Sequence, residues 1–191
     1  MSESRIFTAY QHHSEDLEQS LAINADSLEQ YARTLSEVFA GGQRLVIVAS
    51  GPLAGVASTL VNAFLYHLGV ERPALPVVAL NHDTGLAATL CCDKVFDQYF
   101  SCQLQAQANP GDCVFFLDCS AGSPMLAALQ TASEIGCATA VLTFGDENAW
   151  KKEDPDLVMP IVASSPARGV EAALFLGQIL CELVEAELFG F

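Results

Sequence analysis

Five short apolar runs, each followed by a helix-patterned stretch, constrain this chain more than any other feature. They are residues 44–49, 77–80, 113–117, 138–144 and 157–162. Runs of that length, apolar at successive positions and rich in β-branched side chains, read as strands covered on both faces. Strands that alternate with helices and lack a solvent face pack as a parallel sheet between two helical layers. The expected fold class is α/β: a three-layer α/β/α sandwich with a five-stranded, mainly parallel sheet, preceded by an N-terminal helical hairpin.

The hairpin is read from residues 1–40. Leu17, Leu21, Ile23, Leu28, Tyr31, Leu35, Val38 and Phe39 recur at three- and four-residue steps, a helical period. The polar stretch 24–27 suggests a break, with Asp26 or Ser27 capping a second helix, and Gly41-Gly42 ends it. Further helices are expected over 54–68, 86–92, 96–107 and 124–135, the last ended by Gly136. Ser164 or Ser165 ahead of Pro166 opens a final helix. Residues 145–156 are polar and hold most of the lysines, so they read as a surface loop. No linker divides the chain, which reads as a single domain over 1–191, with N-terminal helices over 1–40 and the sandwich over 41–191.

Composition narrows the partners. With 51% hydrophobic and 16% charged residues, the chain is too apolar for disorder, and oligomerisation is expected to reduce its surface. Eight basic against 23 acidic residues leave a formal net charge of −15. That excludes a nucleic-acid backbone as direct partner, and equally an anionic membrane surface. A basic protein partner stays open. The 7 cysteines are odd in number, lie mostly in apolar runs and include no Cys-x-x-Cys pair. They read as buried thiols in a reducing cytoplasm, with no metal cluster and no cofactor expected. Residues 1–6 show no signal-peptide pattern, and no apolar run reaches the roughly 18 residues of a membrane span.

In a parallel sheet, ligands bind beyond the carboxyl ends of the strands. Three loops qualify: 50–53, 81–85 and 118–123. The third follows the most apolar strand and holds Ser120, Gly122 and Ser123 before Pro124. Ser123 reads as an N-cap and Pro124 as the first helical residue. Free N–H groups at such a helix start suit an anion. Asp118 opposes that reading, because its charge would repel a phosphate.

Taken in order, these features resemble a family. A helical region, Gly41-Gly42, a strand and a small-residue loop come first. Then follow a long helix, Arg72-Pro73 with Pro76, a strand with Asp83 after it, Phe96 with Tyr99-Phe100, Gly111-Asp112, and the serine loop opening a helix. The chain resembles a sugar isomerase (SIS) domain of the phosphoheptose isomerase type, a flavodoxin-like sandwich, over nearly its whole length. The resemblance implies a sugar or sugar-phosphate ligand and a homodimer or homotetramer. It implies ligand-binding roles for Ser50, Gly51, Asp83, Asp118, Ser120, Gly122, Ser123 and Arg168.

The chain also departs from that family. Asp118 and Cys119 replace hydroxyl residues of the serine loop, and Leu53 replaces a phosphate-binding serine. About two to three charge-assisted hydrogen bonds are thereby missing, each worth about 1.5–3 kcal/mol. Aldose–ketose isomerisation needs a base and an acid. The family's Glu and His positions fall on Ala63 and Ala173. Substitute proton carriers are Glu171, His67 or Asp83. The readings are therefore a non-catalytic protein that binds a carbohydrate derivative or serves as an oligomeric adaptor with a protein partner, an isomerase with substitute groups, and an assembly with an empty cleft.

Individual residues keep two readings each. Asp118 is a ligand contact or a carboxylate capping the next turn. Asp83 faces a ligand or forms the turn before Gly85. Arg168 faces the ligand or pairs with an acid. His67 and His82 read as ordinary polar residues, His12 and His13 as solvent-exposed, and Cys119 as an unreactive thiol.

Overall fold

The computed structural model describes residues 2–67, 69, 71–80 and 82–190. The elements run α1 (Ser2–Ala40), β1 (Leu45–Ala49), α2 (Leu53–Leu65), β2 (Val77–Ala79), α3 (Thr84–Cys92) and, after a 3-10 turn over Phe96–Gln98, α4 (Tyr99–Gln107). Then come β3 (Cys113–Asp118), α5 (Ser123–Ile135), β4 (Ala138–Thr143), α6 (Glu147–Lys151), β5 (Leu157–Pro160) and α7 (Pro166–Phe189). All four strand pairings are parallel, in the order β2-β1-β3-β4-β5. The expected sandwich is borne out, flavodoxin-like strand order included.

Successive strand residues point to opposite faces, and both faces are buried. Ile47, Phe115 and Leu142 face α1, α2 and α7, packing with Leu28, Leu60, Phe64 and Leu176. Val46, Val48, Phe116 and Val141 face α3 to α6, packing with Phe100, Leu104, Leu129 and Trp150.

The expected hairpin is a single helix. Asn24 does not break α1 because its amide is used in docking: Nδ2 donates to the carbonyls of Ser20 and Pro160, each at 2.7 Å. One turn earlier, Ser20 Oγ accepts from Val162 N at 3.0 Å and donates to Val162 O at 3.2 Å. A turn before that, Asp16 Oδ2 accepts from the N–H and hydroxyl of Ser164 at 2.8 and 2.6 Å. The spacing explains the match. Four helical residues rise about 6 Å and two extended residues about 6.6 Å, so positions 16, 20 and 24 meet 164, 162 and 160 in register. A polar stretch that looks like a break is a ladder holding α1 along the chain beyond β5.

Other boundaries shift for local reasons. The helix expected over 54–68 ends at Leu65; Leu68 lies outside the described residues. The Arg72 guanidinium takes the last carbonyls of α2, Ala63 O at 2.8 Å and Phe64 O at 2.9 Å. The surface loop expected over 145–156 contains α6, begun by Asp146, whose side chain accepts from Asn148 N. Its Trp150 is fully buried. Nor are the thiols uniformly buried: Cys91 and Cys92 are exposed, while Cys113, Cys137 and Cys181 lie in the core.

Candidate functional site

The strand order sets the cleft. From β1 the chain passes outward to β2, and from β3 it passes the other way to β4, so the loops after β1 and β3 diverge. A crevice opens at that switch point in flavodoxin-like sheets. Here it is a cavity of about 400 Å³. Its polar lining comes from Ser50, Gly51, Ser120 and Gly122. Its apolar wall comes from Phe96, Tyr99, Phe100 and Met125. Phe96 and Tyr99 stack with centroids 5.5 Å apart and planes 11° from parallel.

Beneath this cavity the β3 loop is organised by Asp118, which is fully buried. Its Oδ1 accepts from Ser50 Oγ at 2.5 Å, tying the β1 loop to the β3 loop. Its Oδ2 accepts from the N–H groups of Ser120, at 3.0 Å, and Ala121, and from Trp150 Nε1 at 3.2 Å. Ala121 has φ of 48°, a left-handed conformation that costs a non-glycine residue about 1–2 kcal/mol. The N–H bond to Asp118 holds it there. Gly145, after β4, closes the far side: a Cβ there would lie 2.6 Å from Cys119 O, so only glycine lets that loop approach so closely.

The expected cap of α5 is corrected. Gly122 is the N-cap, with no side-chain bond, and Ser123 is already helical. Its hydroxyl is therefore free to point away from the helix N–H groups, and it donates to Asp97 Oδ1 at 2.5 Å. Asp97 follows Phe96 of the cavity wall, so a second carboxylate sits beside the cleft.

The remaining predicted residues lie elsewhere. Asp83 is exposed and caps α3, accepting from Leu86 N at 2.7 Å; Asn81, which opens that loop, lies outside the described residues. Arg168 stands in the first turn of α7 and pairs with Glu171, Nη1 to Oε2 at 2.7 Å. Glu171 Oε2 also lies 2.9 Å from His13 Nδ1, so His13 is half-buried in the groove between α1 and α7 rather than solvent-exposed. His67 follows the C-terminal end of α2, whose 13 residues span about 20 Å from the cleft end. It therefore lies beyond the helix that the sequence reading extended to residue 68. Its ring stacks on Tyr66 at 4.1 Å. His82 Nε2 lies 3.3 Å from Ser58 Oγ.

The structure thus brings Ser50, Gly51, Ser120 and Gly122 together over Asp118, with Ser123 bonded to Asp97 nearby. It does not bring Asp83, Arg168, Glu171 or His67 into that cavity. Ala63 and Ala173 are both buried in the layer formed by α1, α2 and α7. Sequence reasoning missed Trp150 and Asp97. The available signal was that the chain's single tryptophan lies in an otherwise polar stretch.

No family model matches the chain. A phosphoheptose isomerase of Trichlorobacter lovleyi is 33% identical over 162 residues, covering 84% of this chain and 82% of that protein. A solved phosphoheptose isomerase from Francisella tularensis superposes with a TM-score of 0.84 at 20% identity, covering 96% of this chain and 98% of that one. One from Neisseria gonorrhoeae gives 0.82, also at 20%, covering 97% and 100%. The two structures match the architecture derived above, SIS-type sandwich included. The sequence relative carries the assignment: this chain belongs to the phosphoheptose isomerase family.

Proposed function

We propose that the protein binds a carbohydrate derivative or sugar phosphate in the cleft between the β1 and β3 loops without isomerising it, and acts as a regulatory or adaptor oligomer. One observation carries this reading. Among the described residues, the cavity lining holds no carboxylate, imidazole or amine; its one titratable side chain is the phenol of Tyr99. Proton removal beside a carbonyl needs a base within hydrogen-bond reach of the substrate. The two positions where the family resemblance implies such groups are alanines packed in the core.

Homo-oligomerisation, as a dimer or tetramer, is supported by apolar side chains left on the helices. Ile6, Phe7 and Tyr10 on α1 are each at least 66% exposed, and Phe175 on α7 is also exposed. The seven cysteines are free thiols, which supports a reducing, cytoplasmic setting. No described helix is long and apolar enough to cross a membrane.

Conversion of sedoheptulose 7-phosphate by purified protein tests the reading. No turnover above that of a Ser120→Ala variant is expected, while a carbohydrate or sugar phosphate raises the melting temperature. Turnover abolished by Ser120→Ala would overturn it.

A second reading, an isomerase with substitute groups, is favoured by one feature: the contact of Glu171 with His13 and Arg168 beside a groove of about 310 Å³. Loss of turnover in Glu171→Gln, with binding retained, would support it.

A further inference from the structure

We infer that the cleft takes an uncharged carbohydrate and discriminates against its phosphate monoester, because four of the donors that would hold an anion are committed to the chain's own carboxylates. The inference rests on the reading of this cleft as a carbohydrate site and specifies its ligand class.

An anion at the end of β3 would draw on nearby backbone N–H groups and serine hydroxyls. Four of the donors there already bond to carboxylates. The Ser50 hydroxyl and the N–H groups of Ser120 and Ala121 go to Asp118, and the Ser123 hydroxyl goes to Asp97. Asp118 cannot readily swing aside to release its three. It is fully buried, and Trp150 Nε1 holds Oδ2, the oxygen that takes the Ser120 and Ala121 N–H groups. An arriving phosphate would have to strip those donors from a buried carboxylate, then sit beside two acids. No lysine, arginine or histidine lines the cavity among the described residues to offset that charge.

An uncharged sugar meets the same surface differently. Its hydroxyls donate as well as accept, so they can bond to the serine oxygens of the lining, whereas a phosphate dianion only accepts. The stacked Phe96–Tyr99 pair, with Phe100 and Met125, gives an apolar wall for the carbon face of the ring. A cavity of about 400 Å³ lies within the range of small-ligand sites.

The test is a set of matched pairs: mannose, N-acetylglucosamine and sedoheptulose, each against its own phosphate monoester. Binding is read by saturation-transfer NMR and melting temperature, with inorganic phosphate followed separately by 31P line width. At least one free sugar should bind about tenfold or more tightly than its ester, and inorganic phosphate should not broaden. Asp118→Ser frees three donors, so phosphate broadening should appear in that variant. Should it fail to fold, the exposed Asp97→Asn decides instead, by narrowing the gap between sugar and ester several-fold. An ester bound as tightly as its free sugar by the unaltered protein, and lost in Ser120→Ala, overturns this inference and leaves the carbohydrate site standing. Binding of neither member of any pair overturns the site itself, and this inference with it.

Discussion

Trp150 donates its indole N–H to the carboxylate of Asp118 at 3.2 Å, and neither residue is exposed to solvent. The bond joins the short helix after β4 to the loop that floors the cleft. It also explains a tryptophan in a polar stretch: a buried indole nitrogen needs an acceptor, and a buried carboxylate needs donors.

Trp150→Phe keeps the aromatic packing on Phe116 but removes one donor to Asp118. The expected loss is about 1.5–3 kcal/mol, the range for a hydrogen bond to a charged group. Urea unfolding followed by far-UV circular dichroism measures it. An unchanged midpoint would show that the bond contributes nothing.

Arg72 is predicted to be the most sensitive charged position. Its guanidinium is buried, pairs with Glu185 Oε1 at 2.7 Å, and holds the end carbonyls of α2. Arg72→Ala leaves the Glu185 carboxylate unpaired and should cost about 3–5 kcal/mol. The double variant Arg72→Met with Glu185→Leu should recover part of that loss, because the desolvated charge is removed as well. The two unfolding midpoints, compared in one denaturant, check the order.

Reinstating the family's acid and base should not create an isomerase here. Ala63 and Ala173 are 2% and 0% exposed. Ala63→Glu places a carboxylate in an apolar layer, at a cost of several kcal/mol unless it is paired. Lower thermal stability and no conversion of sedoheptulose 7-phosphate by Ala63→Glu/Ala173→His are expected. Measurable turnover would refute the closed-core account of these positions.

Thiol chemistry should divide by burial. Burial pushes Cys113 and Cys181 up to about 12 and Cys137 up to about 11. The exposed Cys91 and Cys92 should react with a thiol reagent at pH 8, while those three stay protected until unfolding. The sign for stability follows. Above the ordinary thiol value of 9.0, the unfolded chain loses these protons and the folded chain keeps them. Stability is therefore fully present below about pH 9 and falls as pH rises toward 11–12, by at most about 1.4 kcal/mol per pH unit for each thiol. Denaturant midpoints between pH 8 and 10.5 measure the slope; a flat profile would contradict the burial of these thiols.

Much of the fold was legible in the chain because its signals are local. Apolar runs such as 113–117, punctuated by Gly136 and by Pro166, specify strands and helix ends over a few residues, whatever packs on them. The order of those elements, with uniformly apolar strands, already implied a parallel sheet between helices and a ligand at the strand ends. What the tertiary structure decided was the partner of each polar side chain. Asn24 looks like a helix break until Pro160 O meets it, 136 residues away. Arg168 and Glu171 sit on the right helix yet turn to each other, and Glu171 also to His13. Asp118 was visible as an acid in the wrong place for a phosphate. Only the folded chain shows that Ser50, Ser120, Ala121 and Trp150 all turn toward it, because a hydrogen bond is settled by distance in space and not by separation along the chain.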